Sequence, residues 1–223
     1  MCGRFAITLP DDAMARAFAA TPANDLPPGP RFNVCPTTPV ACVTSRDGTR
    51  QIGPMRWGFL PRWYKAETGE PLLINARAET LATKPAFAEA ARLRRCLIPA
   101  SGFFEWTKGK DGSRLPWYIF PSQGEMLAFA GIWQIWEHEG RRHVTCAIVT
   151  CAANTRIAAI HHRMPVIVPP EDWALWLGEA GHGAARLMKP APDTALQFHR
   201  VHTRVNANRA DGPDLLAPLS PEA

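Results

Sequence analysis

Cys2 is the residue whose position carries the most chemistry. It directly follows Met1 and is small enough for that methionine to be removed. Removal would leave an amine and a thiol on adjacent carbons. Such a pair condenses with an aldehyde: the amine forms an imine, and the thiol closes a five-membered thiazolidine. An α-amino group with pKa about 7.8 is roughly 10–15% neutral at pH 7, against about 0.04% for a lysine at 10.4. The competing reading of Cys2 is structural, a small buried residue in a first strand. The other cysteines, Cys35, Cys42, Cys96, Cys146 and Cys151, form no CxxC pair, so neither a zinc ribbon nor a thioredoxin-type site is supported. Cys96 and Cys146 lie in apolar, strand-like runs and read as reduced core thiols. No metal or other cofactor is expected.

Whatever Cys2 does, the rest of the chain must position it. The 223 residues fit one large domain, and 46% hydrophobic with 20% charged residues suffices for a sizeable core. The 22 prolines, about twice the usual share, favour short strands and shaped loops over long helices. A net charge of +5 permits a polyanionic partner without specifying one. The start of the chain has no cationic segment leading into an apolar one, so no signal peptide is expected. Residue 2 is not glycine, which excludes myristoylation. The longest apolar run, residues 127–136, contains Gln134 and is too short to span a bilayer. A soluble, cytoplasmic protein is expected.

Thr8 with Asp11 three residues on resembles a capping box opening a helix through Ala20. Residues 39–46 and 50–57 read as a hairpin around Asp47-Gly48. Residues 79–93 carry a helical pattern interrupted at Pro85, and strands follow over 95–100, 102–107, 115–120, 127–136 and 143–151. Short helices over 154–160 and 170–177 flank a strand over 164–168. Consecutive strands with short turns predict an α+β fold, with a mainly antiparallel, curved or barrel-like sheet core and short flanking helices. From Asn208 the chain is Pro-rich and polar and reads as a frayed tail.

Several short motifs occur in a fixed order. Met1-Cys2-Gly3-Arg4 is followed by Arg31-Phe32-Asn33-Val34 with Pro36, then Arg56-Trp57-Gly58-Phe59 with Pro61 and Trp63. Next come residues 75–80 (NARAET), residues 95–106 (RCLIPASGFFEW) and Gly131-Ile132-Trp133. Thr150, Ala153-Asn154 and His161-His162-Arg163-Met164-Pro165 complete the series. In this order the set closely resembles the SRAP family, the SOS response-associated peptidases, from residue 2 to about Val205-Asn206. Cys35 and Phe59 depart from residues common there, an alanine and a smaller aliphatic, and neither touches the implied active site. The resemblance implies a single SRAP domain over residues 1–207, a tail over 208–223, and a monomer. It further implies a sensor that cross-links covalently to abasic sites in single-stranded DNA, nucleoid-associated when bound, whose active site also removes Met1.

Residue by residue, the resemblance makes Cys2 the nucleophile and surrounds it with Asn75, Glu105 and His161. Arg4 and Arg77 match positions that hold the DNA backbone. Each assignment has a plainer alternative. Glu105, between Phe104 and Trp106, could sit on the wet face of a strand, or be buried as a proton shuttle for the α-amine. His161 could be a surface residue, or the acid that opens the closed sugar; only motif register prefers it to His162. Asn75 could cap a helix, hydrogen-bond the reacting sugar, or both. Arg4 and Arg77 could be solvated charges or phosphate forks. Trp57, Trp63 and Trp106 could each be core; Trp63 and Trp106 are the candidates to contact DNA, and Trp63, next to Arg62 and Lys65, is placed to stack on a base. Three rivals stay open. Met-Cys-Gly also starts class II glutamine amidotransferases, which need no DNA. A cysteine peptidase would cleave other proteins, and a non-enzymatic binding module would survive the loss of Cys2.

Overall fold

Asp47 and Gly48 both take positive φ, 51° and 77°, as the tight turn of a two-residue hairpin requires. That turn is where the observed architecture begins to follow the sequence pattern. The computed structural model describes residues 2–219. In chain order its elements are β1 (Phe5–Ile7), α1 (Asp11–Phe18), β2 (Thr21–Pro22), β3 (Arg31–Val34), β4 (Pro39–Arg46), β5 (Thr49–Trp57) and β6 (Asn75–Arg77). Then come α2 (Ala88–Leu93), β7 (Arg95–Ala100), β8 (Gly102–Lys108), β9 (Arg114–Pro121), β10 (Leu127–His138) and β11 (Arg141–Ala152). The last are α3 (Thr155–Ala158), β12 (Arg163–Pro165), α4 (Trp173–Leu177) and β13 (Leu196–Arg200). No helix among the described residues is long and apolar enough to cross a membrane.

Five of these strands close into a barrel. β4 pairs with β5 and β7, β7 with β10, and β10 with β11, all antiparallel. Closure comes from a parallel contact of β5 with β11, where Arg56 faces Thr145 and Trp57 faces Cys146. The core is therefore barrel-like, as the strand pattern predicts, but mixed in direction. Parallel closure joins strands far apart in sequence, which no local turn signal marks. A second sheet, ordered β13-β9-β8-β1-β3, lies against the barrel. Its β1 and β8 send Phe5 and Phe103 inward, and both rings pack edge-on against Phe129 at 5.9 Å.

The two sheets are joined by the sharp passage from β7 into β8. Ser101 turns the corner, and its hydroxyl accepts the Thr8 N–H at 2.9 Å. A Cβ on Gly102 would stand 2.6 Å from the Ile119 carbonyl oxygen, so only glycine lets β8 lie against β9 here. Gly102→Ala should cost about 1–3 kcal/mol of stability, read as a lower urea midpoint. An unchanged midpoint would mean that the corner relaxes freely.

Four local expectations need correction. Thr8 does not cap α1: the N-cap is Pro10 with no side-chain hydrogen bond, and the Thr8 hydroxyl instead bonds Ser101 at 2.8 Å. The helical pattern of residues 79–93 is interrupted around Pro85 as expected, but its first part is only a 3-10 turn at Ala78–Thr80 and α2 is confined to Ala88–Leu93. The strand expected over 164–168 is β12 followed by an isolated bridge between Ile167 and Phe129. The segment after Asn208 is not frayed within the described residues. Leu215 is fully buried in a small second core with Phe104, Tyr118 and Val205. Leu219 donates its N–H to the Arg200 carbonyl at 2.9 Å. Average composition hides this apolar anchor; residues 220–223 lie outside the described residues.

Candidate active site

β1 and β8 run antiparallel with Phe5 opposite Phe103 and Ala6 opposite Gly102, and the Phe104 N–H donates to the Arg4 carbonyl at 2.9 Å. Continuing that register brings the start of the chain alongside Glu105. Two further strands meet here on β11. Parallel β6 sets Asn75 opposite Ile148 and Arg77 opposite Thr150, while antiparallel β12 sets Pro165 opposite the same Thr150. The segments bearing Asn75 and His161 thus flank one end of β11, and β8 supplies Glu105 from the other sheet. Four strands distant in sequence converge on Cys2.

Their contacts are specific. The Asn75 Nδ2 donates to the Cys2 carbonyl at 2.9 Å. Its Oδ1 is buried without a hydrogen-bond partner among the described residues, an acceptor that suits an incoming hydroxyl. Asn75 therefore opens a strand and does not cap a helix. Glu105 is only 2% exposed. Burial pushes its carboxyl up to about 7, so both protonation states are populated near neutrality. His161 Nδ1 lies 4.0 Å from Glu105 Oε1. That same Nδ1 lies within hydrogen-bond distance of both the Arg163 N–H, at 3.0 Å, and the Arg163 carbonyl, at 3.1 Å. Burial lowers the His161 pKa and keeps the ring neutral. Cys2 is fully buried, and desolvation followed by the Glu105 charge drives its thiol far above the usual range. This site holds its nucleophile as a thiol, beside a carboxyl poised to move protons.

The binding residues are distributed differently from expectation. Arg77 is exposed at the edge of β6. It lines a groove of about 680 Å³ together with Asn75, Thr83 and Lys84. Trp63 is 57% exposed, as a stacking platform must be, and Trp57 is core. Trp106 is half-buried; its Nε1 donates to Asn206 Oδ1 at 2.6 Å, and the Arg114 guanidinium lies 4.7 Å from its ring centroid. Arg4 departs most from expectation. It is 8% exposed, and its guanidinium donates to Asn33 Oδ1 at 2.8 Å, the Val205 carbonyl at 2.8 Å and Asn208 Oδ1 at 2.7 Å. Three of its five N–H groups are thus spent within the protein.

Sequence reasoning missed the pair that braces His161. Arg163 forms a bidentate ion pair with Glu79 at 2.6 and 2.9 Å and donates to the Thr150 carbonyl at 2.7 Å. The pair ties the segment following Arg77 to the one bearing His161. Both residues stand within the motif series, but their pairing spans residues too distant for any local signal. Among the described residues, no group of three or more His, Cys, Asp or Glu could hold a metal ion.

Comparison with known proteins gives consistent matches. A family model described as "SOS response associated peptidase (SRAP)" matches residues 1–208. The "abasic site processing protein YoqW" of Bacillus subtilis (strain 168) is 32% identical, over 97% of this chain and 99% of its own. The "abasic site processing protein YedK" of Escherichia coli (strain K12) is 31% identical, over 98% of this chain and all of its own. A crystal structure of a protein from Bacteroides thetaiotaomicron shares the fold with a TM-score of 0.86 at 23% identity, covering 98% of this chain and all of that one.

Proposed function

The chain belongs to the SOS response associated peptidase (SRAP) family, and from that premise we propose that it processes abasic sites in DNA as part of the DNA damage response. The finer reading is covalent capture of the lesion in single-stranded DNA by Cys2, once Met1 has been removed. Met1 lies outside the described residues, and its removal by this same site belongs to the proposal. The observation that carries the reading is the convergence of Asn75, Glu105 and His161 on Cys2.

In this reading the small imidazolium fraction of His161 protonates the sugar ring oxygen of the closed hemiacetal. The neutral ring then takes the C1 hydroxyl proton, so the free aldehyde appears and the histidine ends as it began. The Cys2 amine then adds to the carbonyl carbon, its proton passing through Glu105 to the oxygen. Protonated Glu105 expels that oxygen as water, leaving an iminium. The thiol sulfur adds to the iminium carbon and returns its proton to the Glu105 carboxylate. One C–N bond and one C–S bond form, and one water is lost. Asn75 Oδ1 accepts from a hydroxyl of the opened sugar. A buried thiol beside a carboxyl is a poor first nucleophile but adequate for an iminium. That favours the amine-first order over an amidotransferase or cysteine peptidase, both of which need a ready thiolate. Arg77 and Lys84 line the groove that receives the backbone, and Trp63 stacks on a base.

The test mixes processed protein with abasic and intact oligonucleotides, single-stranded and duplex, without added metal or cofactor. A denaturant-resistant adduct confined to the abasic single strand is expected. No adduct, or release of ammonia from glutamine, would overturn the proposal.

A further inference from the structure

One short segment near the end of the described chain touches both sides of the site. Val205 and Asn208 accept two of the three Arg4 hydrogen bonds. The third acceptor, Asn33 on β3, in turn donates its Nδ2 to the Ala210 carbonyl at 2.7 Å. Between them Asn206 holds Trp106, the residue after Glu105 on β8. Residues 205–210 therefore tie β1, β3 and β8 together where Cys2 meets Glu105. Arg4 is two residues from the nucleophile and mostly buried, so its position fixes the direction in which the chain leaves β1 toward Cys2. Three of its five N–H groups are taken up by these acceptors, its Nε is buried without a partner among the described residues, and Cys35 and Arg114 are the titratable or charged groups that bear on it.

We propose that Arg4, clamped by Asn33, Val205 and Asn208, is a positioning residue that aims the Cys2 amine at the lesion carbon and does not grip DNA phosphate. The proposal rests on the covalent-capture reading. Proximity effects explain why such a clamp matters: a misplacement of about 1 Å can cost roughly a hundredfold in rate.

The two roles for Arg4 separate cleanly in binding and rate. If Arg4 grips phosphate, its removal weakens initial binding and reduces the salt dependence of that binding. If Arg4 positions the amine, its removal slows the covalent step at saturating DNA and leaves binding alone. The experiment measures both for Arg4→Ala, Asn208→Ala and Asn208→Asp. Affinity is read on an oligonucleotide with a tetrahydrofuran abasic mimic, which has no aldehyde. The capture rate is read under single turnover on the true abasic strand. Hydrogen exchange of the residue 3–6 amides reports on β1 without reference to any reaction.

Capture by Arg4→Ala should fall by about a hundredfold and by Asn208→Ala by about tenfold, with mimic affinity within about twofold. Exchange across residues 3–6 should quicken in both. Asn208 is exposed, so its truncation spares the fold, and Asn208→Asp keeps an acceptor for Arg4 and should restore both rate and protection. Wild-type capture and protection in Asn208→Ala would overturn the clamp, as would a rate loss matched by lost affinity in Arg4→Ala. If the wild-type protein forms no adduct, the functional reading fails, and the exchange data still decide whether the clamp holds β1.

Discussion

Replacing Cys2 with serine should remove the heat-stable adduct while leaving an imine that a hydride reductant traps on DNA. Serine preserves a small, processable residue and the α-amine, so the first bond can still form. A hydroxyl closes the five-membered ring less favourably than sulfur, and the imine then hydrolyses on heating. The assay compares adducts with and without reductant on an abasic oligonucleotide. In the same assay, extra residues ahead of Cys2 should abolish both products, because they convert the amine to an amide. A heat-stable Cys2→Ser adduct without reductant would exclude the thiazolidine. A folded, processed serine variant that yields no trapped imine would point to attack by the thiol first.

Glu105→Gln should act in opposite directions on rate and stability. It removes the proton shuttle while keeping its shape, and general acid–base catalysis contributes roughly 10²–10⁴-fold. Capture should slow by that order. The wild-type rate should begin to rise with pH through about 7, where the carboxyl ionises, and the Gln variant should keep only the later rise as the α-amine loses its proton near about 7.8. Stability follows from the same burial. The folded pKa is raised above the unfolded one, so folding favours the protonated carboxyl. Its contribution is fully present below the unfolded value of 4.5 and is lost as pH rises through about 7. The gap between the two corresponds to roughly 3 kcal/mol. Glutamine does not ionise, so Glu105→Gln should be more stable than wild type at pH 8 by about that amount, and by little at pH 5. Urea unfolding at both pH values measures it. An equal difference at the two would show that the carboxyl does not bear the cost of burial.

The parts legible in the sequence are those written in local pattern. Alternation and turn residues place β7 to β11, and Asp47-Gly48 places the hairpin of β4 and β5. The ordered motifs name Cys2, Asn75, Glu105 and His161, which the fold gathers together. What stays hidden is long-range. Nothing near Trp57 announces that it will lie parallel to Cys146, and nothing near Glu79 announces Arg163. Arg4 shows the same limit: a guanidinium suits phosphate and amide acceptors equally, and nothing near it announces Val205 or Asn208. The segment after Asn208 misleads because three leucines among prolines and polar residues have no periodicity, yet Leu215 seals a core.

The clamp on Arg4 also bears on how the protein is made. Its acceptors at Val205 and Asn208 leave the ribosome roughly 200 residues after Cys2. At about 5–20 residues per second, roughly 10–40 s separate the two. Throughout that interval the seat for the beginning of the nascent chain is incomplete, since β8 and β11 emerge partway through it and the clamp only at its end. Removal of Met1 by this same site must therefore wait for the clamp to close. The order of translation releases the reactive amine only once the enclosure that aims it has been built.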